Sequence, residues 1–259
     1  MPISVAYNGR RVGSSGSKLE VINYTNSLTI MQVDSNLPDD FAGSAVIENL
    51  VIDGNDASGN AVGGVTGLLL ENVYNCVIRN ITIRNCEVGI RVKLTGSAGD
   101  CSRGNRFEHI RMKNVKTGIV FEGVSAAKDF SYTTIDDVRI SLDNRLNGVG
   151  IKIGDDNVHA DLHCAFIKAT VWLGNGTQKG LEVNGVLKYS LVNFEVEQEI
   201  PLNPLPSGWG VYVNLGATVW DNQNFLLTTL GLVRPINNVL FNHSLFVYSG
   251  VSDIDVRSS

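Results

Sequence analysis

The chain has 259 residues, 43% of them hydrophobic, and a formal net charge of −5. That is enough apolar material for a sizeable core, and all-β domains often run to this length as a single unit. The acidic balance argues against a nucleic-acid-binding surface, which needs a basic stripe. No apolar run reaches the roughly 18 residues of a membrane-spanning helix.

The first stretch, "MPISVAYNGRRVGSSG", lacks the apolar core of a secretory signal. With "KLEVINYTNSLTIMQVD" it reads as strands that lie outside the regular pattern and cap it, so residues 1–43 are set apart from a body over 44–242. The tail, residues 243–259, includes "SLFVYSGVSDIDVRSS" and is expected to close the other end.

From residue 44 onward one phrase recurs. Ile78, Ile81 and Ile83 are spaced +3, +2, and the spacing returns at Ile47/Leu50/Ile52, Phe107/Ile110/Met112, Ile135/Val138/Ile140, Phe166/Ala169/Val171 and Leu191/Phe194/Val196. A weaker copy sits at Phe225/Thr228/Leu230. Each triplet is followed by a Gly and an alternating pair, as in "GIRVKL" at Gly89 and "GIKIGD" at Gly150. The glycines at 67, 89, 118, 150, 180 and 210 are 22, 29, 32, 30 and 30 residues apart. A period in that range marks a solenoid.

A leucine-rich repeat competes for Ile78–Cys86, but each repeat holds a second alternating block and the intervening segments lack helical periodicity. The reading is therefore three short strands per turn: one ending near Ile78, one over Ile81–Ile83 and one over Ile90–Val92. Before the second inward position stand Asn49, Asn80, His109, Asp137, Lys168 and Asn193. Asn and Asp tolerate the left-handed conformation of a sharp corner. The expected fold is an all-β, single-stranded parallel β-helix of about seven coils.

The "N-x-x-I-x-x-G-I-x-V" idiom resembles the right-handed parallel β-helices of the pectate-lyase-like superfamily. That group includes polysaccharide lyases, polygalacturonase-type hydrolases, epimerases and phage tailspikes. The resemblance covers about Ser44 to Asn242 and is closest in character to virion-type proteins. It implies a virion or cell-surface module that recognises a polysaccharide or host-surface glycan, commonly as a homotrimer; the second reading is a polysaccharide lyase or glycoside hydrolase. Fold does not by itself carry function.

Two groups could carry catalysis. Glu108 and Asp136 both follow the first inward residue of adjacent coils, so they should be outward neighbours, with Arg79 in the same column and Arg111 and Arg139 in the next. A close carboxylate pair suits a retaining glycosidase, whereas a solvated ladder of salt pairs is the plainer account. "GDDNVHADLHC" (Gly154–Cys164) adds Asp155 and Asp156, which echo the aspartate pair of polygalacturonase-like enzymes. Their companion Gly-His-Gly and Arg-x-Lys motifs are absent in the required order. The same loop could hold Ca2+ through Asp155, Asp156 and Asp161, or simply use its Asp residues to satisfy turns. No other cofactor is expected.

Trp172, Trp209, Tyr212 and Trp220, with Glu182, are the expected ligand-binding set, the aromatics pointing outward at the far end of the solenoid. The four cysteines show no CxxC pair, so buried thiols are expected rather than a zinc site or a disulfide framework.

Overall fold

The computed structural model describes residues 3–5, 10–12, 18–20, 28–34, 45–55, 63–95, 101–123, 128–143, 145–154, 160–198, 208–214, 217–220, 222, 224–231, 233–237, 241–242 and 246–250. Among these there is no helix. Strands stack into three parallel sheets of nine, eleven and six strands.

One turn shows the plan. Cys101–Arg103 lies in the third sheet, Arg106–Glu108 and Arg111–Lys113 in the second, and Thr117–Gly123 in the first. The next turn repeats it with Lys128–Ser131, Thr134–Ser141 and Val149–Ile153. Then come Ala160–His163, Phe166–Leu173 and Lys179–Val183, followed by Val186–Lys188, Leu191–Gln198 and Gly208–Val213. Thr218–Trp220, Asn224–Gly231 and Val233–Asn237 complete a fifth turn.

Five three-sided turns replace the expected seven. Between Val65–Glu71 and Val77–Arg84 only residues 72–76 intervene, and Asn72 and Asn75 turn left-handed there, so the third side is a bend without a strand. The short 22-residue step between Gly67 and Gly89 records that missing strand. The three-strand assignment also shifts: Ile78, Ile81 and Ile83 belong to a single strand of the second sheet, bent at Asn80 (φ 52°). Strands upstream of residue 44 continue the ladders. Ile3–Val5 pairs with Leu28–Asp34 in the first sheet, while Arg10–Val12 and Lys18–Glu20 pair with Val46–Asp53 in the second. Phe246–Gly250 extends the second sheet beyond Asn224–Gly231.

Parallel pairing places like residues above one another, and the core is built of such columns. Ile47, Ile78, Phe107, Ile135, Ile167, Val192 and Phe225 form one unbroken buried column. Leu68, Ile90, Ile119, Ile151, Leu181 and Val211 form its counterpart across the interior. Phe121 sits edge-on to Phe107 and to Phe130, at ring distances of 6.3 and 5.5 Å, and so joins the three sheets. At roughly 25 cal/mol per Å2 of apolar surface removed from water, such columns dominate the stability of the fold. The recurrent glycine is a close-approach position: a Cβ on Gly89 would stand 2.7 Å from the carbonyl oxygen of Gly118.

One expectation about phase is corrected. The left-handed bend occurs at Asn49, Asn80, His109 and Asp137 but at neither Lys168 nor Asn193. The register shifts between Ile135 and Val138, after which Phe166–Leu173 and Leu191–Gln198 alternate without interruption. Ile167 and Val192 are therefore buried, whereas Phe166, Leu191 and Leu230 face solvent. Lys168 and Asn193 instead pair with each other within uninterrupted strands, so these coils carry no extra residue.

Candidate functional site

The Glu108–Asp136 pair is in register on the outside of the second sheet, with Arg79 and Glu48 below it in the same column. Each member has a cation. Arg79 Nη2 lies 2.6 Å from Glu48, Arg106 Nη2 lies 2.5 Å from Glu108, and Lys168 Nζ lies 3.8 Å from Asp136. Arg139 does not serve this pair. It joins His109 and Arg111 around Asp137, at 3.3, 3.1 and 3.0 Å. The hydrogen bond from His109, followed by those from Arg111, pulls the Asp137 carboxyl down to about 2. Glu48, Glu108 and Asp136 each face a cation, so the second-sheet column is a ladder of matched charges.

Asp155 and Asp156 lie outside the described residues, as does His159. Among the described residues no three His, Cys, Asp or Glu side chains are arranged as a metal-binding set.

The expected aromatic platform divides over three faces. Trp172 is on the second sheet and donates its indole N–H to Glu197, 2.8 Å away. Trp209 and Tyr212 are on the first sheet, edge-to-face at 6.0 Å. Arg234 covers the Trp209 ring at 4.0 Å and Lys179 covers Tyr212 at 4.1 Å. Each of these rings thus already offers one face to a cation. Glu182, buried, holds Lys179 at 3.0 Å and accepts from Asn214 Nδ2 at 3.0 Å, so it anchors the same group. Trp220 belongs to a third-sheet strand, paired with Lys188 and Asn242; its side chain lies outside what is described.

The third sheet assembles a group that the pattern of the second sheet does not announce. Phe130, Leu162, Leu187 and Val219 point inward in register, which turns their neighbours outward. Asp129 and Asp161 therefore occupy one outer column on adjacent rungs, and His163 and Lys188 the next. His163 Nδ1 stands 3.5 Å from Asp129 Oδ1 and 3.4 Å from Asp161 Oδ1. Lys188 Nζ lies 2.7 Å from Asp161 Oδ2. Asp129 Oδ1 is buried and accepts no hydrogen bond. Two carboxylates, an imidazole and an ammonium thus share a small area, and neighbouring rungs are about 4.8 Å apart. The sequence pattern reaches Asp161 within "GDDNVHADLHC" but offers no period that joins it to Asp129 or Lys188. Aligning "DFSY", "DLHC" and "VLKY" on their central apolar residue brings the four together.

This architecture defines a parallel β-helix with ionic columns on its outside and one mixed acid–base cluster on its shortest sheet. The sequence matches glycosyl hydrolases family 28 over residues 26–166, more than half of the 259-residue chain, and the chain belongs to that family. No curated protein matches it. Among solved structures it is similar to tailspike protein 3 of bacteriophage CBA120, at 11% identity and a TM-score of 0.23, over 98% of this chain and 55% of that one. The chain therefore spans about half the length of that tailspike. No helix among the described residues is long and apolar enough to cross a membrane.

Proposed function

We propose that this β-helix recognises an extracellular polysaccharide from a virion or cell surface, and that the sugar sits on the outer face of the third sheet. The observation that carries this reading is the convergence of Asp129, Asp161, His163 and Lys188 on adjacent rungs. Carboxylates accept from vicinal sugar hydroxyls, and an ammonium and an imidazole N–H donate to ring and hydroxyl oxygens. Family membership supports a glycan as the ligand class. The test is calorimetric titration of the chain with a panel of acidic and neutral polysaccharides. Asp161→Asn and Lys188→Ala should each weaken binding about tenfold, the scale of one lost charge-assisted hydrogen bond. Unchanged affinity in both variants would remove this face from the account.

Hydrolysis is the second reading, favoured by the same cluster. Asp129 and Asp161 bracket one imidazole nitrogen, and glycoside hydrolysis needs two carboxyl groups flanking the scissile bond. At adjacent-rung spacing the pair suits the retaining route: one carboxyl would protonate the leaving oxygen while the other attacks the anomeric carbon. Water, deprotonated by the first, would then hydrolyse the glycosyl-enzyme and free the nucleophile. New reducing ends released by the wild type and absent with Asp161→Asn would establish it, and a panel without turnover leaves recognition alone. A homotrimer is the assembly we propose, and a 28.0 kDa particle in solution would refute it.

A further inference from the structure

At the corner between the third and second sheets one column of left-handed residues runs along the solenoid. Backbone amides place its members on successive rungs: Asn75 donates to Arg103, Gly104 to Ser131, Tyr132 to His163 and Cys164 to Lys188, so the column reads Asn75, Gly104, Tyr132, Cys164, Tyr189. Among the described residues, nine of the thirteen non-glycine residues with positive φ are Asn or Asp. Three of the other four, Tyr132 (φ 54°), Cys164 (φ 51°) and Tyr189 (φ 53°), follow one another here. A bulky residue in this region is strained, and strain held at one place is a mark of function.

Exposure runs against stability as well. Tyr132 is 62% exposed and Tyr189 43%. The neighbouring outer column adds Phe166 at 37% and Leu191 at 41%, in register with each other and with Thr134. Exposed tyrosines at positive φ are costly to a fold that uses Gly and Asn one and two rungs below Tyr132. The strip also adjoins the acid–base cluster, since Tyr132 comes two residues after Phe130 and Tyr189 directly follows Lys188.

We infer that Tyr132 and Tyr189, with Phe166 and Leu191 beside them, form a stacking strip for a neutral polysaccharide whose sugar rings present flat C–H faces. This rests on the glycan reading of the third-sheet face and names the ligand class it takes. Ring C–H groups carry partial positive charge and meet the negative π-face of a tyrosine. The two tyrosines are two rungs apart, roughly 10 Å, so one extended chain can lie across both. The charge beside the strip is balanced: Lys188 pairs with Asp161, Arg106 with Glu108 and Lys168 with Asp136, while Arg103, with no ion pair among the described residues, is matched in number by Asp129. A uronate-rich chain finds no surplus of cations there, whereas an uncharged one loses nothing by its absence.

The test is titration of the full chain with xylan, galactomannan, a soluble β-glucan and polygalacturonate at low and high salt. The variants are Tyr132→Asn, Tyr189→Asn, their double and Tyr132→Phe. Asn suits the left-handed corner, so each Asn variant should fold and raise the thermal midpoint by about 2–4 °C. The double variant should lose at least tenfold in affinity for the neutral polysaccharide bound by the wild type, and Tyr132→Phe should retain it. Binding by the wild type should be nearly independent of salt. Undiminished binding by the double variant overturns the strip while leaving the cluster in place, provided Asp161→Asn still weakens binding. Salt-sensitive binding of polygalacturonate alone overturns the neutral class. Loss of an oligomer in the double variant with glycan binding intact assigns the strip to contacts between copies instead. A wild type that binds no member of the panel defeats both this inference and the glycan reading beneath it.

Discussion

Asp137 Oδ2 lies 3.1 Å from His109 Nδ1, and both residues occupy the left-handed bend of the second sheet on neighbouring rungs. Arg111 and Arg139 complete the node, and together these groups hold the Asp137 carboxyl at about 2. A carboxyl depressed in the folded state stabilises the fold only while ionised. That contribution is complete above the unfolded value near 4 and is lost as pH falls through about 2. Thermal midpoints recorded from pH 5 to pH 2 should fall, and fall less for Asp137→Asn, which keeps the bend but cannot titrate. Added salt should narrow the gap, since the group is partly in solvent. Parallel profiles for the two proteins would show that the node contributes nothing.

Ile167 and Phe166 exchange the roles that apolar spacing suggests. Ile167→Ala should cost about 2–5 kcal/mol, as for other buried aliphatic truncations, because Ile167 sits in a closed column between Ile135 and Val192. Phe166→Ala should stay within about 0.5 kcal/mol, because that ring is already exposed. Urea denaturation of the two variants checks the phase directly, and the reverse order of costs would restore the +3 spacing at this coil.

That pair also marks how far the sequence is legible. The columns through Ile47, Ile78, Phe107 and Ile135 follow from spacing alone, because an inward position must be apolar on every rung and Asn, His or Asp marks the bend. At Phe166 two apolar residues stand side by side, so hydrophobicity cannot choose between phases, and Lys168 was the only hint that the bend had gone. The candidate cluster was harder to see. Third-sheet strands of two to four residues have room for at most two inward positions each, too few for a period to show. Asp129 and Lys188 are separated by almost two turns of chain, and only stacking brings them near His163. The aromatics show a related limit: Trp172, Trp209 and Trp220 are near in sequence order, whereas each belongs to a different sheet.

Gly150 tests the close packing of the glycine column. A Cβ there would stand 2.5 Å from the carbonyl oxygen of Gly180 and 2.6 Å from Val171 Cγ2. The oxygen belongs to a backbone locked in the sheet, so relief requires the rungs to part. Gly150→Ala should therefore destabilise by about 1–3 kcal/mol, the range for overpacked cores. Gly63→Ala, with open space around its Cβ, is the control. Equal midpoints for the two would mean that the rungs separate at no cost.

Cys76 and Cys86 should resist thiol reagents in the native state. Burial pushes the Cys76 thiol up to about 11 and the Cys86 thiol to about 12, the latter helped by the nearby charge of Asp53. Only the thiolate reacts, so at pH 8 both are protected twice over, by access and by protonation. Cys164 is partly exposed at the corner column and should be modified first. Mass spectrometry after brief alkylation should find label on Cys164 alone of these three, and on all of them after denaturation. Early label on Cys86 would show that the interior opens readily.

Arg234 decides between the two aromatic surfaces. Its guanidinium lies 4.0 Å over the Trp209 ring on the first sheet, whereas Tyr132 stands at the corner just past the third-sheet strand Lys128–Ser131. Were Trp209 the sugar platform, the cation would occupy a face the sugar needs, and Arg234→Ala would strengthen glycan binding. If the pair is structural, the variant should cost about 0.5–1 kcal/mol, the usual worth of an exposed cation–π contact, and shift the tryptophan emission to the red. Affinity for polysaccharide should then stay within twofold of the wild type, because the sugar lies on another face. The two variants thus move opposite quantities. Tyr132→Asn should raise stability and weaken binding, and Arg234→Ala should lower stability and leave binding alone. A gain in affinity on removing Arg234 would return the working surface to Trp209 and Tyr212, and the strained tyrosines would need another explanation.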